Sequence, residues 1–281
     1  TVDGRDIATN IPNSLGSAGQ VLTVNSGGSA AEWAAAGGGA DLYAANESSP
    51  ANQPTAAGAN AIGIGDTAQA AGADGVAIGL QSYARAQSAL GLFGDAQNAS
   101  SVAIGAGSAT SADRAVALGA NSQALGTQAV SVGKSRASGE DSFAAVITNN
   151  TSSYGATGAN SMAMGASAKA SGSRGISIGR YTQATGTNST AMRATTISSG
   201  ANAIAIGSSN IASGAGSCAI GFRPLAATDG KYAYASGIFS ATGDAQAGQY
   251  VLRSDTTDAT AEAMTTTNTT ASATNQIVAA S

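Results

Sequence analysis

The sequence predicts an all-β chain. Its central part reads as a parallel β-roll, a solenoid of coils about 14 residues long, with small non-repetitive β modules at both ends. Three observations carry this reading. The first is a short motif, aliphatic–tiny–aliphatic–Gly, seen at Val76-Ala77-Ile78-Gly79, Val116-Ala117-Leu118-Gly119 and Ile204-Ala205-Ile206-Gly207. The second is its spacing. Copies begin at 62, 76, 90, 102, 116, 130, 143, 162, 176, 190, 204, 218 and 232, and nine of the twelve intervals are 14 residues. The third is composition. Of 281 residues, 66 are Ala and 38 are Gly, whereas aromatics make up 4%. Such a chain cannot fill a thick core at native density and must fold into something thin.

Each part of a unit has its own justification. The middle residue of the triplet is Ala, Gly or Ser in all thirteen copies. Alternate residues of a strand face opposite sides. One side therefore carries a Val/Ile ladder, expected to be buried, and the other is bare, so that another layer can approach. Gly follows the triplet in nine copies, as at Gly79 and Gly179, where the backbone must turn through positive φ or pass close to a neighbour. The second half of the unit reads small–x–Ala–x–Gly, as in Ser122-Gln123-Ala124-Leu125-Gly126. That alternation has period 2 as well. A unit is thus two very short strands and two tight corners. Stacked at about 4.8 Å, the copies make a rod on the order of 60 Å long. One coil cannot stand alone and depends on its neighbours. So thin a roll is also expected to associate side by side. Corners are expected to differ at Phe93, Val146, Arg193 and Ala235, where the Gly is missing.

The ends do not carry the repeat. Residues 1–40 include Gln20–Asn25 and Ala31–Ala34 around a Ser-Gly-Gly-Ser turn, which reads as a β-hairpin of an attachment segment. Residues 41–61, with Pro50 and Pro54, read as a lead-in that caps the roll over 62–235. Residues 236–281 read as a partial β module with strand-like runs at 237–240, 250–253 and 275–278. The opening Thr1-Val2-Asp3-Gly4 has neither an initiator Met nor a signal peptide, so a processed chain or a portion of a longer one is expected.

Composition also excludes function classes. With 12 basic and 16 acidic residues and a net charge of −4, the chain lacks the basic face of a nucleic-acid binder. There is no run of 18 apolar residues for a spanning helix. There is no histidine, which removes Ser-His and Cys-His nucleophiles and histidine metal clamps. No catalytic, cofactor-binding or metal-binding set is expected, and no cofactor. The lone Cys218 takes an aliphatic position of its triplet and reads as a small core residue. Val132-Gly133-Lys134-Ser135 mimics the end of a phosphate loop, but Gln128 stands where that motif needs Gly.

The repeat resembles the YadA-like head repeat of trimeric autotransporter adhesins. Ser101-Val102-Ala103-Ile104-Gly105 and Ser122-Gln123-Ala124-Leu125-Gly126 carry the likeness. The resemblance implies a left-handed parallel β-roll and a homotrimer. Thr1–Asp6, Leu15–Val24 and Tyr250–Thr260 are similar to segments of bacteriophage tail-fibre proteins. The expected function is therefore structural and adhesive: a stiff trimeric shaft of a phage tail fibre that positions or carries host-receptor binding. The alternative is the head of a bacterial trimeric autotransporter on a cell surface. Expected partners are two more copies of the chain, other tail or virion proteins, and a host-surface polysaccharide or protein.

Two features are candidate receptor contacts. The long unit between 143 and 162 adds a polar loop with Asn149, Asn150 and Tyr154, and solenoid insertions loop out of one face and often bind. Tyr83, Lys169 and Tyr181 stand at outward or corner positions near Arg85 and Arg180. Aromatics beside basic groups suit carbohydrate or anionic polysaccharide.

Overall fold

The computed structural model describes residues 20–24, 31–35, 52–145, 153–255, 259 and 262–276. The chain divides into two compact units, Thr1–Pro50 and Ala51–Ser281.

In the first unit, Gln20–Val24 and Ala31–Ala35 form an antiparallel hairpin with Gln20 opposite Ala35 and Val24 opposite Ala31. The hairpin read from the sequence is there.

The second unit is a parallel β-solenoid, as expected. All described regular structure is strand, and every triplet pairs with the next in the register set by the repeat. Ile62 stands opposite Val76 and Val76 opposite Leu90. The ladder continues through Leu90–Val102, Val102–Val116 and Val116–Val130. The two irregular intervals keep the same register, Val130 opposite Phe143 and Phe143 opposite Met162. From Met162 the column runs without interruption to Cys218 opposite Tyr232. A second ladder is built by the two-residue strands, such as Gln69–Ala70, Tyr83–Ala84, Lys169–Ala170 and Gln183–Ala184. It begins at Thr55–Ala56, which already pairs with Gln69–Ala70.

The inside of the roll is not where the large residues are. The tiny middle residues point inward and are fully buried, among them Ala77, Ala103, Ala117, Ala163, Ala205 and Ala219. They meet Ala70, Ala84, Ala124, Ala170 and Ala212 from the second ladder, which are also buried. The Val/Ile ladder lies on the outer face, with Ile62 48% and Ile204 39% exposed. This corrects the expectation of a buried aliphatic ladder. The two strands of a coil lie so close that only a methyl or hydroxymethyl group fits between them. Cys218 is corrected for the same reason. It sits in the outward column between Ile204 and Tyr232 and is half-buried, and that burial pushes its thiol pKa up.

Polar residues inside the roll bond to backbone. Ser177 donates to the Thr182 carbonyl at 2.9 Å. The Asn210 amide, fully buried, donates to Ile206 O at 2.6 Å and Ala219 O at 3.2 Å, and its oxygen accepts from Arg223 N at 3.1 Å.

Corners explain both the glycines and their absence. Gly179 has φ +126°, and a Cβ there would overlap the Arg193 carbonyl of the next coil. Gly172 has ordinary φ, but its Cβ would run into the Gly186 carbonyl. The first Gly is needed for conformation and approach, the second for approach alone. Where the Gly is missing, the chain still turns through positive φ. Phe93 adopts φ +54° and Arg193 φ +94°. The remaining corner residues in the left-handed region are often Asn, Asp, Ser, Thr or Arg, as at Asp74, Asn121, Arg174 and Asn188. These stack into short polar ladders, with Asn60 bonded to Asp74 at 3.1 Å and Asn188 to Asn202 at 2.9 Å.

After Ala235 the chain turns back and covers the last coil. Ala247–Gln249 pairs antiparallel with the final long strand, Tyr232 opposite Gln249 and Tyr234 opposite Ala247. The Gln246 side chain completes the other edge. Its oxygen accepts from Leu225 N at 2.7 Å and its nitrogen donates to Leu225 O at 3.1 Å, as a neighbouring strand would. Both edges of the last coil are therefore satisfied, which blunts further pairing there. The strand-like run at 237–240 does not form a strand. The Asp244 carboxylate accepts from Phe239 N at 2.9 Å and Ala241 N at 2.7 Å and also binds Ser240 N, so the segment bends around it. Backbone N–H groups, Ala241 first and Ser240 next, hold its carboxyl below the usual carboxylate range. The run at 250–253 is reduced to one bridge, Arg253 to Thr265. Of the run at 275–278, residues 275 and 276 form a turn and the rest lie outside the described residues.

Candidate functional site

The roll offers two outward surfaces. The first-strand surface is the aliphatic column. The second-strand surface carries Gln69, Tyr83, Asp95, Gln123, Lys169 and Gln183, and then turns apolar at Ile197, Ile211 and Leu225. Chemistry able to recognise a polar ligand is on this second surface.

Its most organised part surrounds Tyr83. The sequence places Tyr83 and Asp95 twelve residues apart, and the short coil of 90–101 brings them opposite each other on adjacent strands. Arg85 follows two residues after Tyr83 and so leaves the strand on the same side. Its guanidinium lies 4.2 Å from the centre of the Tyr83 ring. Arg85 Nε donates to Asp95 Oδ1 at 2.7 Å and a second guanidinium nitrogen to Oδ2 at 3.3 Å. Gln97 Nε2 adds a bond to Asp95 Oδ2 at 2.9 Å. The hydrogen bond to Asp95 raises the Arg85 pKa. Tyr83, Arg85, Asp95 and Gln97 therefore form one electrically neutral cluster.

Beside it the coil is irregular. The register shifts between Leu92 and Gly94, where the strand Leu90–Ala96 bulges against Val102–Thr110. Phe93 stands at the bulge and is 56% exposed, and Leu80 on the preceding coil is 59% exposed. A surface groove of about 600 Å³ runs between these two side chains, Tyr83, Asp95 and the backbone of Ala106–Ala109.

The other candidate contacts fall elsewhere. Lys169 is half-buried between Gly155 and Gln183 in the same column as Tyr83, six registers along, or about 29 Å at 4.8 Å per register. Tyr181 occupies a corner on the coil next to Lys169, with φ +57° and Arg180 4.7 Å from its ring centre. The structure does not bring Tyr83 together with Lys169 and Tyr181. Asn149 and Asn150 lie outside the described residues. Tyr154 takes a position facing the inside of the roll and packs against the alanine core. It anchors the end of the long unit to the roll.

The sequence reading did not single out Asp95 or Gln97, and it noted Phe93 only as a missing Gly. The available signal was the 12-residue interval between 90 and 102, which places 95 beside 83 instead of 97.

Among the described residues no group of three or more His, Cys, Asp or Glu side chains could hold a metal ion. No helix among them is long and apolar enough to cross a membrane. Lys134 of the phosphate-loop mimic is exposed at an ordinary corner after the strand Val130–Val132.

No curated protein matches the chain. A family model does: the YadA head domain repeat matches residues 56–82, 96–122, 111–135, 156–182, 171–192 and 198–223. These stretches lie on the stacked coils and reach from the first paired strand to the corner after Phe222. The β-roll thus carries YadA head domain repeats, the repeat of adhesin-type fibre proteins.

Proposed function

We propose that the chain is a homotrimeric shaft segment of a bacteriophage tail fibre, a stiff extracellular rod that sets the distance between a virion and its host and carries part of the contact with the host surface. The observation that carries the assembly is the outward aliphatic column. Ile62, Met162, Ile176, Ile204 and Ile206 are each more than a third exposed in a single chain. They lie in one ladder that runs the length of the roll. Isolated exposed apolar residues are ordinary, but a continuous apolar stripe marks an interface. The same stripe is flat and repetitive, so an identical copy presents a surface that matches it coil for coil. The likeness to YadA head repeats supports three copies around one axis, with the second-strand surfaces turned outward. The phage-fibre reading is supported by the segments Thr1–Asp6, Leu15–Val24 and Tyr250–Thr260.

Sedimentation equilibrium tests the assembly. A mass of three times 26.8 kDa is expected at micromolar concentration, and a folded monomer overturns it. The role as a spacer is tested by deleting residues 166–179, one complete coil, which joins Gly165 to Arg180. The rod is expected to shorten by about 4.8 Å and still assemble, and virions carrying it are expected to adsorb to the host. Mass spectrometry of purified virions decides between fibre and cell-surface adhesin. Peptides of the chain in virions are expected, and their confinement to the bacterial cell envelope overturns the fibre reading.

A further inference from the structure

We propose that the groove beside Tyr83 and Phe93 binds one ring of a neutral, hydroxyl-rich saccharide. The inference rests on the adhesive reading above and names the ligand class and the residues for it.

The groove has the two kinds of surface that a sugar ring needs. One is apolar and aromatic. Phe93 and Leu80 project from neighbouring coils and are more than half exposed. A pyranose ring has a face of C–H groups that packs on such side chains, and an aromatic ring with its negative face is the better platform. The other surface is a fixed set of polar atoms. The Asp95 carboxylate is held by Arg85 and Gln97, so it cannot swing away, and two oxygens have more acceptor sites than these three bonds use. Tyr83 adds a phenol that donates or accepts. Sugar hydroxyls need partners of both kinds, already in place, because a mobile side chain would lose entropy on binding.

Charge decides which saccharide. The sequence alone suggests either carbohydrate or anionic polysaccharide, since Arg85 stands beside Tyr83. In the structure Arg85 is paired with Asp95 at 2.7 Å, which leaves no net positive charge to attract a carboxylated or sulfated sugar. An acidic sugar would place its own carboxylate against Asp95 and be repelled.

The site is built by the irregularity of the roll. Regular coils carry Gly at the position of Phe93, and their corners are shallow. Here the coil is shortened, the register shifts between Leu92 and Gly94, and Phe93 takes a left-handed conformation that directs it from the corner. Gly94 must lack a side chain, because a Cβ would overlap the Ser108 hydroxyl. Ser108 lines the floor of the groove, and its buried Oγ has no partner within the chain. A groove of about 600 Å³ is large enough for a single sugar ring with part of the next, and its open ends let a longer glycan pass.

The experiment is saturation-transfer NMR on the full chain with lactose, maltose, chitobiose and mannobiose as neutral probes and sialyllactose as the acidic one. Transfer to at least one neutral disaccharide is expected, with Kd in the millimolar range. Phe93→Ala and Asp95→Asn are each expected to weaken it at least fivefold, and Lys169→Ala is expected to leave it unchanged. Sedimentation of the variants is measured in parallel. No transfer to any neutral probe from a folded assembly overturns the inference, as does preference for sialyllactose. A changed oligomeric state in Phe93→Ala also overturns it, since the apolar patch would then lie between copies of the chain. Host adsorption separates this inference from the adhesive reading. If virions carrying Phe93→Ala and Asp95→Asn adsorb normally, only the groove assignment fails.

Discussion

Ala205 and Ile206 are neighbours in the chain and lie on opposite faces of one strand. Ala205 is fully buried and stacks between Ala191 and Ala219. Ile206 is 37% exposed and stacks between Met192 and Ile220. In an ordinary domain the larger residue would be inside. Here the order is reversed, because the two strands of a coil approach closely enough that alanine fills the space between them. The inner column holds a coil together, and the outer column is free to hold coils of different chains together. Folding and assembly are thus assigned to alternate residues of the same strand, and substitutions can separate them.

The largest expected effect is on the inner column. Ala205→Leu puts three carbons into a space bounded by Ala203, Ala212 and Ala219, all buried. Overpacking a tight core costs about 1–3 kcal/mol where neighbours can shift. In this roll the neighbours are backbone of adjoining coils, so a cost at or above the top of that range is expected. The measurement is the guanidinium midpoint followed by far-ultraviolet circular dichroism. A shift no larger than that of an exposed control, such as Ser199→Leu, would show that the roll is wider than the alanine column implies.

The next effect is on the outer column and is of a different kind. Ile206→Asp is expected to leave the β-sheet spectrum of the chain in place and to weaken assembly, since a carboxylate that is solvated in the single chain becomes buried without a partner between copies. Sedimentation and circular dichroism on the same sample separate the two outcomes. Loss of the spectrum together with assembly would mean that the roll does not persist without its partner copies, and the division of labour between the faces would fall.

Much of the roll was legible from the sequence. The thirteen markers pair in order, through the intervals of 12, 13 and 19 residues as well as those of 14, because a 4.8 Å stack tolerates loops of different length only if each triplet returns to its column. Which half of the alternation faces inward was not legible. Period 2 defines two sides and leaves both equivalent, and the usual rule that larger apolar residues are buried fails when the interior is one methyl wide. Tyr83 was visible as an outward aromatic, but its partner Asp95 was not, since the pairing depends on the shortened coil between them. The C-terminal runs were misread because their Val, Ile and Tyr residues suggested strands, whereas Asp244 and Gln246 bind backbone groups and dictate bends and edge capping instead.

The smallest expected effect concerns a corner where the repeat breaks its own rule. Position 193 falls where Gly179 and Gly207 stand on the coils before and after, and all three are aligned in one ladder. Arg193 is nevertheless held at φ +94°, a region that costs a residue with a Cβ on the order of 1–2 kcal/mol. The flanking pairs, Gly179 to Arg193 and Arg193 to Gly207, fix the backbone there. Arg193→Gly removes the steric cost in the folded roll but gives the unfolded chain more freedom, which offsets it by roughly 0.5–1 kcal/mol. The net expected gain is about 0.5–1 kcal/mol, read as a higher guanidinium midpoint with unchanged slope. Arg193→Ala keeps the Cβ and discards only the exposed guanidinium, so it is expected to leave the midpoint where it is. If Arg193→Ala lowers stability as much as Arg193→Gly raises it, the arginine head makes a contact across copies of the chain, and the strained corner serves assembly after all.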